Sequence, residues 1–229
     1  MCNGMANTIL ITKKTVFTQR VGRQLPVPLL LSLCLVPSVH AKEWSFDVWL
    51  DKQKIGTHTF SLNNNQLQSR ASFEVKLLFI NAYRYQHQAD ETWQGSCLSS
   101  LKAHTEENKK VTDVSGQVQN GQFVLDENGE KQTLPACIMT FAYWNPEILK
   151  QVRLLNPQNA EYLDVTVTDE GPQTILVKGQ SMQTHQYRLN GRYHGKDKLK
   201  ITLWYDQHQD WVALESITPE GYKIVYKLV

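Results

Sequence analysis

From Trp44 to Leu228 the chain gives one strand signal after another, and a pattern of that length leaves an extended antiparallel sheet as the natural architecture. "WSFDVWL" sets Trp44, Phe46, Val48 and Leu50 against Ser45, Asp47 and Trp49; "DKQKIG" makes a turn and "IGTHTFSL" returns. After "NNN", residues 66–79 carry Ala71, Phe73, Val75 and Leu77 on one face. Residues 80–93 then place Tyr83, Tyr85, His87, Ala89, Glu91 and Trp93 on one face, with Arg84, Gln86, Gln88, Asp90 and Thr92 on the other. Each of these two strands is about twice the usual five or six residues, which suits a tall, curved sheet. Further strands are predicted at 98–105, 110–119, 122–125, 162–168, 173–179, 182–192, 199–205, 211–217 and 222–228. Asn-Gly pairs at 120–121 and 128–129 mark hairpins, since both residues tolerate positive φ.

About a dozen consecutive strands is the count at which a twisted sheet curls or closes. The expected fold is therefore all-β: a long curled antiparallel sheet or open β-barrel with one short α-helix. The helix is predicted from about 146 to 153. Asn145 is a good N-cap, Pro146 suits the first helical position, Glu147 favours the positive end, and Ile148, Leu149, Val152 and Leu155 recur at helical spacing. It is expected to cover the open end or concave face of the sheet.

Residues 1–41 have the form of a cleavable export signal. They hold Lys13, Lys14, Arg20 and Arg23, no acidic residue, an apolar run "LPVPLLLSLCLVP", and Val39 and Ala41 where signal peptidase reads small residues. The run is shorter than the roughly 18 residues a spanning helix needs. Cleavage after Ala41 would leave residues 42–229 as a single β domain in the periplasm, with no transmembrane segment. Four of the 24 Lys+Arg and none of the 22 Asp+Glu lie in the leader, which leaves 20 against 22. A near-neutral mature chain without a basic cluster argues against nucleic acid as a partner. Cys2 and Cys34 leave with the leader. Cys97 and Cys137 remain, an even pair for which a disulfide is the natural reading in an oxidising compartment.

The face bearing Tyr83, Tyr85, His87, Glu91 and Trp93 admits three readings: a filled core, a ligand cavity, or part of a catalytic site. His87 and Glu91 lie about 13 Å apart along one strand at roughly 3.3 Å per residue, so they cannot share a metal or a proton directly. Catalysis would need partners from other strands, for which His58, His185 and Tyr187 are candidates. No G-x-S-x-G, H-E-x-x-H, P-loop or G-x-G-x-x-G motif occurs, no cofactor or metal is implied, and nothing identifies an enzyme. Six tryptophans and nine tyrosines suit either a packed barrel or a cavity that takes an acyl chain. The candidate ligand-binding residues are Phe73, Val75, Tyr83, Tyr85, His87, Glu91 and Trp93, with Tyr143 and Trp144 of "FAYWNP" as a plug or lid beside Cys137.

Four blocks, "FDVWLDKQKIGTHTF", "FEVKLLFINAYRYQHQADETWQGSCLSSLKAHTEENK", "PACIMTFAYWNPEILKQVRLLNPQ" and "ITLWYDQHQDWVALESITPEGYKIVYKL", resemble in that order the exported bacterial family DUF6134, across nearly all of 44–228. That family has no assigned reaction, so the resemblance implies class and compartment but no site. The architecture is more loosely similar to the DUF3108 group and to periplasmic lipoprotein carriers of the LolA type. The expected function is non-catalytic binding of a lipid or other hydrophobic ligand in the cell envelope. The alternatives are an envelope interaction or assembly factor, in which case the partner is an envelope protein, and an enzyme acting on a hydrophobic ligand.

Overall fold

Alternation of apolar and polar residues makes every long strand two-faced, and the chain buries the apolar faces by curling one sheet around them. The computed structural model describes residues 41–77, 80–218 and 221–229; the predicted leader and its cleavage signal lie almost wholly outside them. Fourteen strands form the sheet: β1 (Lys42–Leu50), β2 (Gln53–Asn63), β3 (Gln66–Leu77), β4 (Ile80–Gln94), β5 (Cys97–Glu107), β6 (Lys110–Gln119), β7 (Gln122–Glu127), β8 (Glu130–Pro135), β9 (Arg153–Leu155), β10 (Tyr162–Val177), β11 (Gln180–Tyr193), β12 (Lys196–Tyr205), β13 (Trp211–Ile217) and β14 (Lys223–Leu228). The spatial order is β8-β7-β6-β5-β4-β3-β2-β1-β14-β13-β12-β11-β10-β9. Two runs of sequential hairpins thus meet where β1 pairs with β14, Phe46 opposite Leu228.

The sheet does not close into a barrel, because its edge strands β8 and β9 do not pair with each other. The Gln132 amide donates to the Ala160 carbonyl across the gap, 3.1 Å. Behind it, the segment that follows β8 is anchored on both sides: Leu98 N–H donates to the Ile138 carbonyl at 2.8 Å and Leu155 N–H to the Met139 carbonyl at 2.9 Å. Cys97 and Cys137 are joined in a disulfide, as the pair count suggested, and it ties this segment to the start of β5.

The predicted α-helix is corrected to a single 3-10 turn, Pro146–Lys150. Its start is as read: Asn145 accepts from the Glu147 N–H at 3.0 Å. The end differs because Gln151 is already extended and β9 begins at Arg153, pairing Leu154 and Leu155 with β10. One turn gives too few hydrogen bonds to offset helix nucleation, whereas the sheet edge offers a ladder. Ile148 and Leu155 are buried as expected of an apolar stripe, but Val152 faces solvent.

Two predicted strands, 162–168 and 173–179, are one strand, β10, bent where the register shifts between Asp169 and Gly171, with φ of +86° at the glycine. Strands β8 and β9 had no sequence signal.

The core lies on the concave face. Phe46, Leu98, Phe123, Leu125, Leu189, Leu203 and Trp211 from the sheet meet Met139, Ile148, Leu154 and Leu155 from the segment across it. Each such side chain contributes about 1.5–3 kcal/mol of burial, so the segment fills the interior of the curl.

Candidate functional site

Register brings the polar residues of the concave face together. One cross-strand row runs His58, Ala71, His87, Thr105, Thr112 through β2 to β6; Ser69 lies in the next row on that face and Glu91 in the one beyond it. His58 Nε2 is 2.8 Å from Ser69 Oγ, and its Nδ1 is 3.2 Å from the Tyr226 hydroxyl. His87 Nδ1 is 2.9 Å from Thr105 Oγ1. The Trp93 indole N–H donates to Glu91 Oε2 at 3.1 Å. Phe141–Trp144 and Asn156–Gln158 roof this row, enclosing a chamber of about 110 Å³.

Burial sets the protonation states. It lowers His58 to about 3, helped by the neighbouring His87, and lowers His87 to about 4, helped by Arg70 and His104. It raises Glu91 to about 7 against the opposing pull of Thr140 and Trp93. The Trp144 indole N–H, in the chamber wall, makes no hydrogen bond among the described residues.

The Ser69–His58–Tyr226 alignment has the outline of a nucleophile, a base and an orienting group. It lacks the electrostatics: a general base works near the operating pH, whereas His58 titrates near 3 and is backed by a phenol instead of a carboxylate. The geometry therefore favours a hydrogen-bonded interior network over a reacting centre. Among the described residues no three of His, Cys, Asp and Glu group so as to hold a metal ion.

The predicted residues divide accordingly. His87, Glu91, Tyr143 and Trp144 line the chamber, and Trp93 stands behind it, edge-on to Trp144 with 5.5 Å between ring centroids. Tyr143 packs on Trp211 at 5.2 Å, and its carbonyl accepts from the Tyr205 hydroxyl at 2.8 Å. Phe73, Tyr83 and Tyr85 form a stacked column, Phe73–Tyr85 at 5.2 Å and Tyr83–Tyr85 at 6.5 Å, continuing to His87. Val75 pairs with Tyr83. Of the three proposed partners, only His58 joins the chamber; His185 pairs with exposed Asp169, and Tyr187 stacks on His185. Ser69, Thr105 and Thr140 escaped the sequence reading, although Ser69 shares the parity of Ala71 and Phe73.

A chamber of about 110 Å³ is below the roughly 300–1,000 Å³ of small-molecule pockets. A larger recess lies on the opposite face. β11 pairs with β12 only from His185 onward, so the β10–β11 hairpin beyond it is an arm that has left the sheet. Its Ile175, Val177 and Met182 pack on Trp204, Val212, Ala213 and Leu228. Between this arm and the outer face of β12, β13, β14 and β1 runs a groove of about 530 Å³, walled by Trp49, Ile175, Val177, Trp204, Val212 and Val225. Trp49 and Trp204, both in its lining, have buried indole N–H groups without hydrogen-bond partners among the described residues. A hollow of about 710 Å³ lies over the outer face of β3–β8, lined by polar residues that include Gln66, Gln68, Asp90, Lys102, Gln117 and Lys131.

The fold is similar to a solved structure from Brucella abortus described as a "beta-barrel-like protein of domain of unknown function DUF1849". The TM-score is 0.62 and the identity 12%, with 82% of this chain and 95% of that one covered. At that identity the likeness extends to the fold alone. Among curated proteins none matches. The sequence matches the family model described as "Domain of unknown function (DUF6134)" over residues 46–229, the whole sheet from β1 onward, and the chain belongs to that family.

Proposed function

We propose that the protein is exported and holds a hydrophobic molecule, without chemistry on it, in the groove beneath the β10–β11 arm. The observation that carries this reading is the recess itself: it falls within the volume range of ligand pockets, has an apolar floor, and is walled by two tryptophans on the face of the sheet opposite the core. An apolar recess on an outer sheet face costs solvation unless something covers it. The arm covers part: Val177 is buried, while Leu176 beside it is exposed. The envelope location rests on the leader, and the ligand class on the groove. Assembly through the sheet edges has less support, since β8 is short, bears Glu130 and Lys131, and ends at Pro135.

Two measurements test the reading. Native mass spectrometry with solvent extraction, on protein purified without detergent, is expected to find a stoichiometric hydrophobic ligand. Val225→Glu, at a half-buried floor position, is expected to lower its occupancy at least tenfold with little change in melting temperature. Bare protein that takes up no added lipid would overturn the proposal. Export is checked separately: intact mass and N-terminal sequencing of envelope-fraction protein should give a chain starting at Lys42. A chain retaining residues 1–41 would remove the envelope assignment.

A further inference from the structure

The groove's lining includes polar groups whose chemistry narrows the ligand. We infer that it takes a single-chain amphiphile with a carboxylate head, a long-chain fatty acid, with the tail under the arm and the head at Lys178 and Lys227. This rests on the groove reading above and adds the head group to it.

Three observations converge. Lys227 lies over the Trp49 ring, 4.4 Å from its centroid, which sets an ammonium beside that indole. Lys178, with φ of +50°, is an exposed residue at the turn of the arm and lines the same groove. Neither lysine is in an ion pair among the described residues, whereas the two acidic side chains lining the groove already have partners: Asp47 meets Lys54 at 2.7 Å and Glu215 meets Lys223 at 2.9 Å. Lys178 and Lys227 are therefore the charged side chains of the lining that no ion pair among the described residues offsets.

The second element is the pair of unpartnered donors, Trp49 Nε1 and Trp204 Nε1. Buried polar hydrogens are nearly always satisfied in a working protein, so a ligand offering acceptors fits here better than a plain hydrocarbon. An ionised carboxylate accepts about four hydrogen bonds through two oxygens and donates none. The Trp49 indole with the Lys227 ammonium over its ring puts one such donor beside one positive charge. The apolar floor then takes the tail, and one chain is what a recess in the lower half of the pocket range accommodates.

The test compares oleate with oleyl alcohol, which share a tail and differ in the head, by titration calorimetry on the mature protein at low salt. Oleate is expected to bind about tenfold more tightly, an advantage that shrinks as salt screens the ammonium groups. Lys178→Gln with Lys227→Gln is expected to abolish the advantage while leaving the alcohol affinity within about twofold. Both positions are on the surface, so the variant should fold, and its melting curve checks this. Equal binding of acid and alcohol, or an advantage that survives in the double variant, overturns the head-group assignment and leaves the groove intact. Failure of both ligands to bind removes the groove reading and this inference with it.

Discussion

Replacing Cys97 and Cys137 by serine is expected to lower unfolding stability by about 4 kcal/mol, on the chain-entropy estimate for a loop of this size. The bond closes 40 residues of sequence, comprising β5 to β8 and the start of the segment that crosses the core. Denaturant unfolding of the double variant should show a lower midpoint and a steeper slope than the parent's, since the unfolded chain without the crosslink exposes more surface. The loss should also be local: native-state hydrogen exchange ought to speed up first at Leu98 N–H and Leu155 N–H, which hold the crossing segment. An unfolding free energy within about 1 kcal/mol of the parent's would mean that the seam is held by packing alone.

The second large effect is on pH dependence, where the buried groups act in opposite directions. His58 and His87 have folded-state values below 6.5, so their contribution is complete above about 6.5 and is lost as pH falls through the folded values near 3 and 4. Going from about pH 7.5 to 5, the unfolded chain takes up protons there that the folded one refuses, costing roughly 2 kcal/mol per histidine. Glu91 has the reverse sign. Its folded value near 7 exceeds the ordinary 4.5, so its contribution is complete below about 4.5 and is lost as pH rises through 7. Acidification to about pH 5 therefore returns roughly 2 kcal/mol. The parent should lose only about 2 kcal/mol over that interval and fall more steeply below it. Glu91→Gln removes the compensation and should lose about 4 kcal/mol over the same interval. Parallel stability profiles for parent and variant would show that Glu91 is not buried as described.

Both effects arise from residues visible in the sequence, but only part of their setting was. Strand alternation placed His87, Glu91 and Trp93 on one face, and Cys97 with Cys137 was the available pair. Alternation alone does not say how strands pair at a distance. His58 reaches the His87 row because β2, β3 and β4 are successive hairpins in a fixed register, whereas Tyr226 reaches His58 only because β14 returns to β1. The groove was harder to foresee. Ile175, Leu176 and Val177 look like an ordinary strand, and what makes them an arm is that β12 ends at Tyr205. One signal was present: Trp49 falls on the polar side of "WSFDVWL", opposite Trp44, Phe46 and Val48, and a tryptophan there asks for a cover. The helix was overread because good start signals at Asn145 and Pro146 say nothing about where the next ladder begins.

The junction of β1 with β14 sets an order of events for the chain as it folds. Nearly every ladder joins neighbours in sequence and can form as a local hairpin, with little loop entropy to overcome. The ladder from Phe46–Leu228 to Leu50–Ile224 is the exception, since its partners are separated by almost the whole sheet. Two wings can therefore take shape independently, but they become one sheet only after the last strand has emerged. Until then β1 and β14 each expose a bare edge at what will be the middle of the protein, and the groove floor does not exist. A chain caught at that stage would be a sticky, two-winged intermediate, so the join between the wings governs both how fast the protein matures and how readily it is lost to aggregation.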